Sequence, residues 1–417
     1  MKIFLQTGLL LIFLTANLCF ASDWPRYLGP NGNAVSKEKG LKRSWDENGP
    51  EILWTFPLTE GFGGPAVSEG KVYIYDRVEN EKNVLRCLDI TNGNEEWTFT
   101  YDVTGKISYN GSRSIPTIDG SRIYVCDPFG NFHCLDKNTH KVIWHKNIWT
   151  DFGGTELPRW GIAQHPQIYN DLVIVASQAE NAGVVAYEKQ TGEIRWKTEP
   201  LPGKPGYVTP KLVKIGQEDH LVMISALGTV RGFNPKTGKK LWSYDGWQCK
   251  IPIPNVTEIG DGRLFITGGY DAGSAMIMIK KVNPGYQVEE LFKTTEFGTH
   301  VHPAILYKGH LYGHCTTNTT KDGLVCMDLK GTVKWKTKSS PNFDKGGFIL
   351  ADDMLISMDG TKGNLYLIEP TPVEFKPLST AKLLDTTMCW APLTLSNGKL
   401  LIRDQKQMKC IQLKKDI

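Results

Sequence analysis

Short apolar and polar runs alternate along the chain, and tight-turn dipeptides separate them. In one stretch Thr117–Ile118 leads through Asp119-Gly120 into Arg122–Cys126, and Phe132–Leu135 and Val142–Trp144 follow. Asp-Gly, Gly-Asn and Thr-Gly pairs supply the positive φ that tight hairpins require. The pattern predicts units of four short antiparallel strands and indicates no sustained helical period.

Two markers repeat in phase along the chain. Six tryptophans are separated by 43, 47, 52, 46 and 93 residues, and the last gap is a double one: Trp54, Trp97, Trp144, Trp196, Trp242 and Trp335. Leu291 and Leu384 are taken as the centres of the two outer strands that lack Trp. The second marker precedes each inner strand: Pro65, Pro116, Pro166, Pro210, Pro254, Pro303, Gly347 and Pro392. Two markers at one period indicate a repeat of eight units.

The order of the markers predicts how the ring closes. The first outer strand, Ile52–Phe56, precedes the first inner strand, and the chain runs out after a third strand near Leu413. We therefore expect an all-β, eight-bladed β-propeller of four-stranded antiparallel blades, closed by the N-terminal outer strand joining the C-terminal blade. The expected divisions are a signal peptide over 1–21, an N-terminal extension over 22–50 and the propeller over 51–417.

Composition agrees with a repeat protein and excludes several classes. The 417 residues include 42 Gly, 23 Pro and 12 Trp, and only 22% are charged, which excludes disorder and long coiled coils. The net charge of +4 is dispersed, so no nucleic-acid partner is expected.

The first 21 residues predict export to the periplasm or the extracellular space. Lys2 precedes the apolar run Leu9–Leu14, and Cys19-Phe20-Ala21 follows as a cleavage site. A retained anchor is the alternative. A lipid anchor on Cys19 is disfavoured because Leu18 stands where a lipobox has a small residue, and no later segment could span a membrane.

The repeat itself resembles the unit of PQQ-like, quinoprotein-type β-propeller proteins. Leu88-Asp89-Ile90-Thr91-Asn92-Gly93 runs on to Trp97, and matching stretches end at Trp196 and Trp242. The stretch ending at Trp144 has His140 in place of Gly, and the one ending at Trp335 is a residue shorter. The opening Asp23-Trp24-Pro25-Arg26-Tyr27-Leu28-Gly29-Pro30 also resembles the start of exported proteins of this type.

The resemblance implies a fold more firmly than a chemistry. Quinoprotein dehydrogenases with this repeat carry a vicinal Cys-Cys disulfide over the PQQ cofactor and acidic or amide calcium ligands. This sequence has no adjacent cysteines, and about 396 residues after position 21 leave no room for their large insertions. PQQ and calcium are therefore doubtful cofactors. The common hydrolase, zinc-protease and nucleotide-binding motifs are also missing, so no catalytic residue is assigned.

A ligand site is expected at the channel mouth, in the loops that precede the inner strands. Polar and aromatic residues concentrate there: Arg113, Trp160, His165, Tyr207, Trp247, His300, His302, Lys345 and Trp390. Such residues suit a planar, sugar-like or peptide ligand. The alternative is that they plug the channel. The longest loop, Trp149 to Gln164, is the first place to look, and the off-repeat tryptophans Trp149, Trp160, Trp247 and Trp390 are the residues to follow.

Histidine and cysteine spacing allows further expectations. Of His300, His302, His310 and His314, only the first two share a strand face, which gives half a metal site, so no metal is assigned. Cys87, Cys134, Cys326 and Cys410 fall at one repeat position that Ala186 and Gly232 fill elsewhere, which indicates a small buried slot. Hairpin symmetry allows the disulfides Cys126-Cys134 and Cys315-Cys326, with packed thiols as the alternative.

Three functions remain in competition. The first is a non-catalytic binding or assembly scaffold, in one version resembling the outer-membrane protein assembly factor that carries this repeat. The second is a PQQ-dependent oxidoreductase similar to alcohol or sugar dehydrogenases, and the third is an extracellular carbohydrate-binding propeller. A monomer with a protein partner, or with a small or carbohydrate ligand, is expected.

Overall fold

The computed structural model describes residues 23–414, which form eight four-stranded antiparallel sheets. The predicted signal peptide and the anchor question at Cys19 lie outside the described residues. Within residues 23–414, no helix is long and apolar enough to cross a membrane. The prediction of an eight-bladed propeller is confirmed.

Each blade runs from an inner to an outer strand in chain order. Blade 1 contains Ala66–Ser68, Lys71–Val78, Lys82–Asp89 and Glu95–Asp102, and blade 2 contains Thr117–Asp119, Arg122–Cys126, Asn131–Asp136 and Val142–Asn147. Blade 3 contains Gln167–Tyr169, Leu172–Ala179, Ala182–Glu188 and Ile194–Lys197, and blade 4 contains Lys211–Ile215, Glu218–Ile224, Val230–Phe233 and Lys240–Tyr244. Blade 5 contains Thr257–Gly260, Arg263–Gly268, Gly273–Lys281 and Tyr286–Thr294. Blade 6 contains Ile305–Tyr307, His310–His314, Leu324–Asp328 and Val333–Lys336, and blade 7 contains Phe348–Ala351, Met354–Met358, Asn364–Glu369 and Lys376–Lys382. A 3-10 turn at Thr150–Phe152 lies between blades 2 and 3.

Blade 8 closes the ring with strands from both ends of the described chain. Thr394–Ser396, Lys399–Arg403 and Gln407–Gln412 are completed by Ile52–Pro57, which pairs antiparallel with Gln407–Gln412. Every blade then has four strands. The ring therefore contains no incomplete blade whose exposed strand edge could pair with another chain. The predicted closure is confirmed.

The small residue of the repeat lies directly opposite the repeat tryptophan. Cys134 pairs with Trp144, Ala186 with Trp196 and Gly232 with Trp242. A Cβ added at Gly232 would lie 2.1 Å from the Trp242 ring. The slot is therefore small because the indole fills the space across the strand pair.

Two outer strands differ from the predicted centres. In blade 5 Phe292, not Leu291, stands opposite the slot residue Met276 and packs on Gly331 of the next blade. In blade 7 the outer strand ends at Lys382, so Leu384 lies in the loop that follows, although it is buried. Equal spacing misplaced both centres because these strands carry no Trp to fix the register.

Most repeat tryptophans dock on the turn of the next blade. The Trp144 indole Nε1–H donates to the Lys189 carbonyl oxygen at 3.1 Å, and Gly192 lies beneath the ring, where a Cβ would come within 2.7 Å. Where His140 replaces Gly, its imidazole stacks on Trp97 with centroids 4.1 Å apart. Each contact joins neighbouring blades through a large apolar surface.

Residues 23–50, here called the N-terminal segment, cross the ring on the face opposite the channel mouth. Trp24 exchanges backbone hydrogen bonds with Val67 of blade 1, and the Pro25 carbonyl accepts from Ile118 of blade 2. Farther along, the Ala34 carbonyl accepts from Leu350 of blade 7. The segment therefore ties distant blades together and closes one end of the channel.

The expected cysteine pairs do not face each other. Cys126 lies opposite Phe132, while Cys134 lies opposite Tyr124, which leaves the two cysteines diagonal. Cys326 lies opposite Tyr312, and Cys315 packs in a different apolar cluster. All eight described cysteines are buried free thiols. This register does not support the disulfide expectation, because the strand partner of Cys134 lies two residues from Cys126 and that of Cys326 lies three residues from Cys315.

Candidate functional site

An axial cavity of about 1080 Å³, counted with its open mouth, occupies the face opposite the N-terminal segment. All eight loops that join an outer strand to the next inner strand contribute to its wall. These loops meet because every inner strand begins at the ring axis, within three residues of the repeat proline or, in blade 7, of Gly347.

The nine candidate residues do not all reach this cavity. Eight of them line it: Arg113, Trp160, His165, Tyr207, His300, His302, Lys345 and Trp390. Trp247 does not, because its Nε1–H donates to the Ala272 carbonyl oxygen at 2.9 Å and its ring packs in the core of blades 3 to 5. Trp149 is likewise buried in a core cluster, against Gly154. The expectation for Trp247 is therefore wrong, and Trp149 also belongs to the packing of its loop.

Aromatic rings form most of the cavity wall. Trp160 meets Tyr207 edge to face at 5.5 Å, and on the other side Phe62 and Tyr109 lie 5.4 and 5.7 Å from Trp390. Tyr109 is 52% exposed and has a φ of 56°. A bulky residue in the left-handed region is uncommon, and such strain concentrates at functional sites.

Two cations lie in the wall, and only one has a carboxylate partner. The Lys345 ammonium is 3.1 Å from Asp344 and 4.2 Å from the centroid of Trp390, whose Nε1–H also donates to Asp344 at 2.7 Å. Arg113 donates to the carbonyl oxygens of Gly111 at 2.8 Å and Ser108 at 2.6 Å. No carboxylate of the described chain pairs with Arg113, and burial lowers its pKa to about 10.

Three histidines complete the wall, and burial keeps them neutral. The His302 Nε2–H donates to the Trp390 carbonyl oxygen at 3.0 Å, and the His165 Nδ1 accepts from the Ile115 N–H at 2.9 Å. Burial lowers the pKa of His300 and His165 to about 3. Neither ring nitrogen of His300 has a hydrogen-bond partner among the described residues. An unpaired buried imidazole is costly unless a bound molecule satisfies it.

The floor of the cavity comes from the N-terminal segment. Tyr27 stacks on His165 with ring centroids 3.9 Å apart and an interplanar angle of 15°. Sequence reasoning missed Tyr27 because it lies far outside the repeat loops. The opening Asp23–Pro30 motif was the one signal that pointed to it.

The donor set does not fit a calcium-bound quinone. No Asp or Glu of residues 23–414 lines the cavity, and no cluster of three or more His, Cys, Asp or Glu in that range could hold a metal ion. Calcium takes six to eight oxygen ligands, including carboxylates, whereas this wall offers cations, imidazoles and rings. His314 joins no metal site either, since its Nδ1–H donates to Gly346 and its Nε2 accepts from Ser357.

A closed ring of four-stranded blades around a cavity open at one end defines the class of protein as a β-propeller with an axial pocket. Within that class, the comparisons support a PQQ-like propeller repeat protein. A family model described as "Outer membrane protein assembly factor BamB" matches residues 81–246. The matched span contains four of the repeat tryptophans.

Curated relatives fall into two groups. The chain is 26% identical over 212 residues to the quinohemoprotein alcohol dehydrogenase of Comamonas testosteroni, covering 46% of this chain and 28% of that protein. It is 22% identical to the quinoprotein alcohol dehydrogenase PedH of Pseudomonas putida, over 74% of this chain and 49% of that protein. It is 24% identical to the outer membrane protein assembly factor BamB of Shewanella oneidensis, over 39% of each. Each match therefore spans less than half of the relative.

Solved structures agree on the fold. BamB from Moraxella catarrhalis superposes with a TM-score of 0.60 at 14% identity, covering 87% of this chain and all of that one. A europium-containing methanol dehydrogenase gives a TM-score of 0.63 at 15% identity, over 93% and 89% of the two chains. At these identities the likeness concerns the architecture alone, and it includes both a BamB protein and a dehydrogenase.

Proposed function

We propose that this protein is an exported, non-catalytic binding propeller whose axial cavity holds a small organic ligand with a planar or sugar ring and an acidic group. The observation that carries the proposal is the wall itself, in which seven aromatic residues surround a cation that has no carboxylate partner in the described chain. A wall that served only as packing would leave fewer groups without partners.

The rings and the cation have complementary tasks. Trp160, between blades 2 and 3, and Trp390, between blades 7 and 8, both line the cavity and offer planar faces for a ring. Arg113 offers its guanidinium to a carboxylate or another acidic group, which it binds more strongly than a neutral acceptor. His300, with both nitrogens unpaired, supplies a donor or an acceptor. We therefore favour an aromatic acid or a sugar acid over a neutral sugar.

Calorimetric titration tests the proposal, with naphthalene-2-carboxylate as the probe and glucose as the neutral comparison. We expect saturable binding of the acid and at least about tenfold weaker binding by Arg113→Met, because a hydrogen bond to a charged group is lost. Trp390→Ala should weaken binding similarly. Lys250→Met is the matched control, since Lys250 is an exposed cation in one of the same eight loops.

Two results would overturn the proposal. The first is the lack of saturable binding by the wild type, and the second is an equal affinity for the wild type and both cavity variants. The competing oxidoreductase is tested in parallel by adding PQQ, calcium, methanol and a redox dye. Dye reduction that depends on PQQ would replace the non-catalytic proposal with a dehydrogenase.

One observation favours a second candidate function, a protein assembly scaffold. The outer strands of blades 2 and 3 expose Val142, Ile143 and Ile194, which are 42%, 37% and 51% exposed. Exposed apolar side chains on the outer strands of neighbouring blades are typical of protein contacts. If the rim binds a partner, a protein captured from the envelope fraction should be lost with Ile143→Lys and Ile194→Lys and retained with Arg113→Met. Equal capture by all three would contradict the scaffold.

A further inference from the structure

A second, smaller cavity lies beyond Tyr27 and His165, on the side of the N-terminal segment. Its volume is about 490 Å³ with its mouth, and Arg26 and Asn31 enter it from the segment. Lys211, the first residue of the blade 4 inner strand, enters it from the ring. The proposed function uses neither Arg26 nor Lys211, so the inference that follows does not rest on it.

Lys211 is a buried lysine without a close partner. It is 7% exposed, and no described residue forms a hydrogen bond or an ion pair with its ammonium. Glu258 acts on it from beyond ion-pair distance, and burial lowers its pKa to about 8. Removing an ammonium from water without a partner costs free energy, so a bound anion at this position would be favoured.

Arg26 is a second cation in the same cavity. Its Nη2–H donates to the Pro30 carbonyl oxygen at 2.5 Å, which leaves several of its five N–H donors unused. Asp119 acts on it electrostatically, but that carboxylate is already paired with Lys189 at 2.5 Å. The two cations therefore share a cavity in which no Asp or Glu of the described chain lines the wall.

We propose that this cavity is an oxyanion site that takes inorganic phosphate or a phosphomonoester between Arg26 and Lys211. A phosphate group carries about −1.5 to −2 charges at neutral pH, which two cations balance. Its oxygens accept the forked N–H groups of arginine and the point charge of lysine. The unpaired Oδ1 of Asn255, at the same wall, is an acceptor for the P–OH group of a monoprotonated phosphate.

Phosphorus NMR line broadening of inorganic phosphate and of phenyl phosphate tests the site. We expect saturable broadening with the wild type and at least about tenfold weaker binding by Lys211→Met, because a charged donor is lost. Lys211→Arg should largely restore binding. Lys214→Met is the matched control, because Lys214 is an exposed lysine on the same strand, paired with Asp219 at 3.0 Å. Broadening by inorganic phosphate alone would identify the free ion as the ligand.

A second readout guards against misfolded variants. Lys211→Met removes an unpaired buried charge, so its thermal midpoint without phosphate should equal or exceed that of the wild type. Phosphate should raise the midpoint of the wild type and not of Lys211→Met. The site is refuted if the wild type shows no saturable broadening at millimolar phosphate, or if Lys211→Met binds as well as the wild type. Arg113→Met should bind phosphate normally, which separates this outcome from failure of the axial cavity.

Discussion

Tyr27 lies face to face with His165 and separates the axial cavity from the smaller cavity beyond it. The two rings are 3.9 Å apart, although 138 positions of sequence separate the residues. The stack makes the N-terminal segment part of the wall of the axial cavity as well as a tie between blades.

Removing the Tyr27 ring should destabilise the protein. We expect Tyr27→Ala to lower the free energy of unfolding by roughly 2–3 kcal/mol, somewhat less than the loss for a fully buried ring. Tyr27→Phe keeps the stack and should change it by no more than about 0.5 kcal/mol. Urea denaturation measures both. Equal effects of the two variants would show that the hydroxyl, and not the stacked ring, is what matters.

The turn glycines beneath the repeat tryptophans should be more sensitive than other turn glycines. Gly238 and Gly216 both lie in blade 4 with positive φ, at 70° and 62°. A Cβ at Gly238 would lie 2.5 Å from Trp196, whereas nothing lies within 4 Å at Gly216.

We therefore expect Gly216→Ala to cost about 1 kcal/mol through the left-handed conformation alone. Gly238→Ala should cost about 1–3 kcal/mol more, because the Trp196 ring must shift. Denaturant midpoints give the comparison. Similar losses at both positions would contradict the account of how neighbouring blades dock.

Acid should destabilise the ring through buried neutral histidines. Burial lowers the pKa of His314 from 6.5 to about 3, and of His302 to about 4. Between pH 6.5 and each folded-state pKa, the unfolded chain binds protons that the folded protein does not. The free energy of unfolding therefore falls as the pH falls below 6.5.

His314→Gln isolates one of these contributions. Between pH 6 and pH 5 the variant should lose about 1 kcal/mol less stability than the wild type, since one proton uptake is removed. Above pH 7.5 the two stability curves should run parallel. Urea unfolding across this range gives the slopes, and identical slopes between pH 6 and 5 would rule out a neutral His314 in the folded state.

The cysteines should remain thiols even when oxidant is present. All eight described cysteines are buried, and burial raises the pKa of Cys134 and Cys389 to about 12, which suppresses the reactive thiolate. A thiol reagent should modify none of the eight in the native protein and all of them in denaturant without reductant. Fewer modified thiols in denaturant would indicate disulfides that the strand register does not allow.

The propeller ring could be predicted from the sequence because the repeat period is marked by Trp and Pro residues that the packing of the blades requires. Trp144 and Trp196 fix outer strands, and Pro116 and Pro166 precede inner ones, so local spacing was sufficient. Leu384 fell outside its strand because no indole constrains the register there.

The candidate site was harder to predict, because a loop residue can point to the axis or back into a blade. Trp390 and Trp247 occupy comparable loops, yet Trp390 faces the cavity while Trp247 donates to Ala272 and fills a core. Tyr27 reaches the pocket only through the path of the N-terminal segment. Neither the direction of a loop side chain nor the path of the N-terminal segment can be predicted from the spacing of the repeat.

Saturation-transfer NMR with a mixture of aromatic carboxylates and sugar acids tests most directly the proposal that the axial cavity binds a ring-bearing acid. The account predicts transfer to ring-bearing acids by the wild type and by Lys250→Met, and its loss with Arg113→Met and with Trp390→Ala. Equal transfer by all four proteins, or none by the wild type, would contradict it.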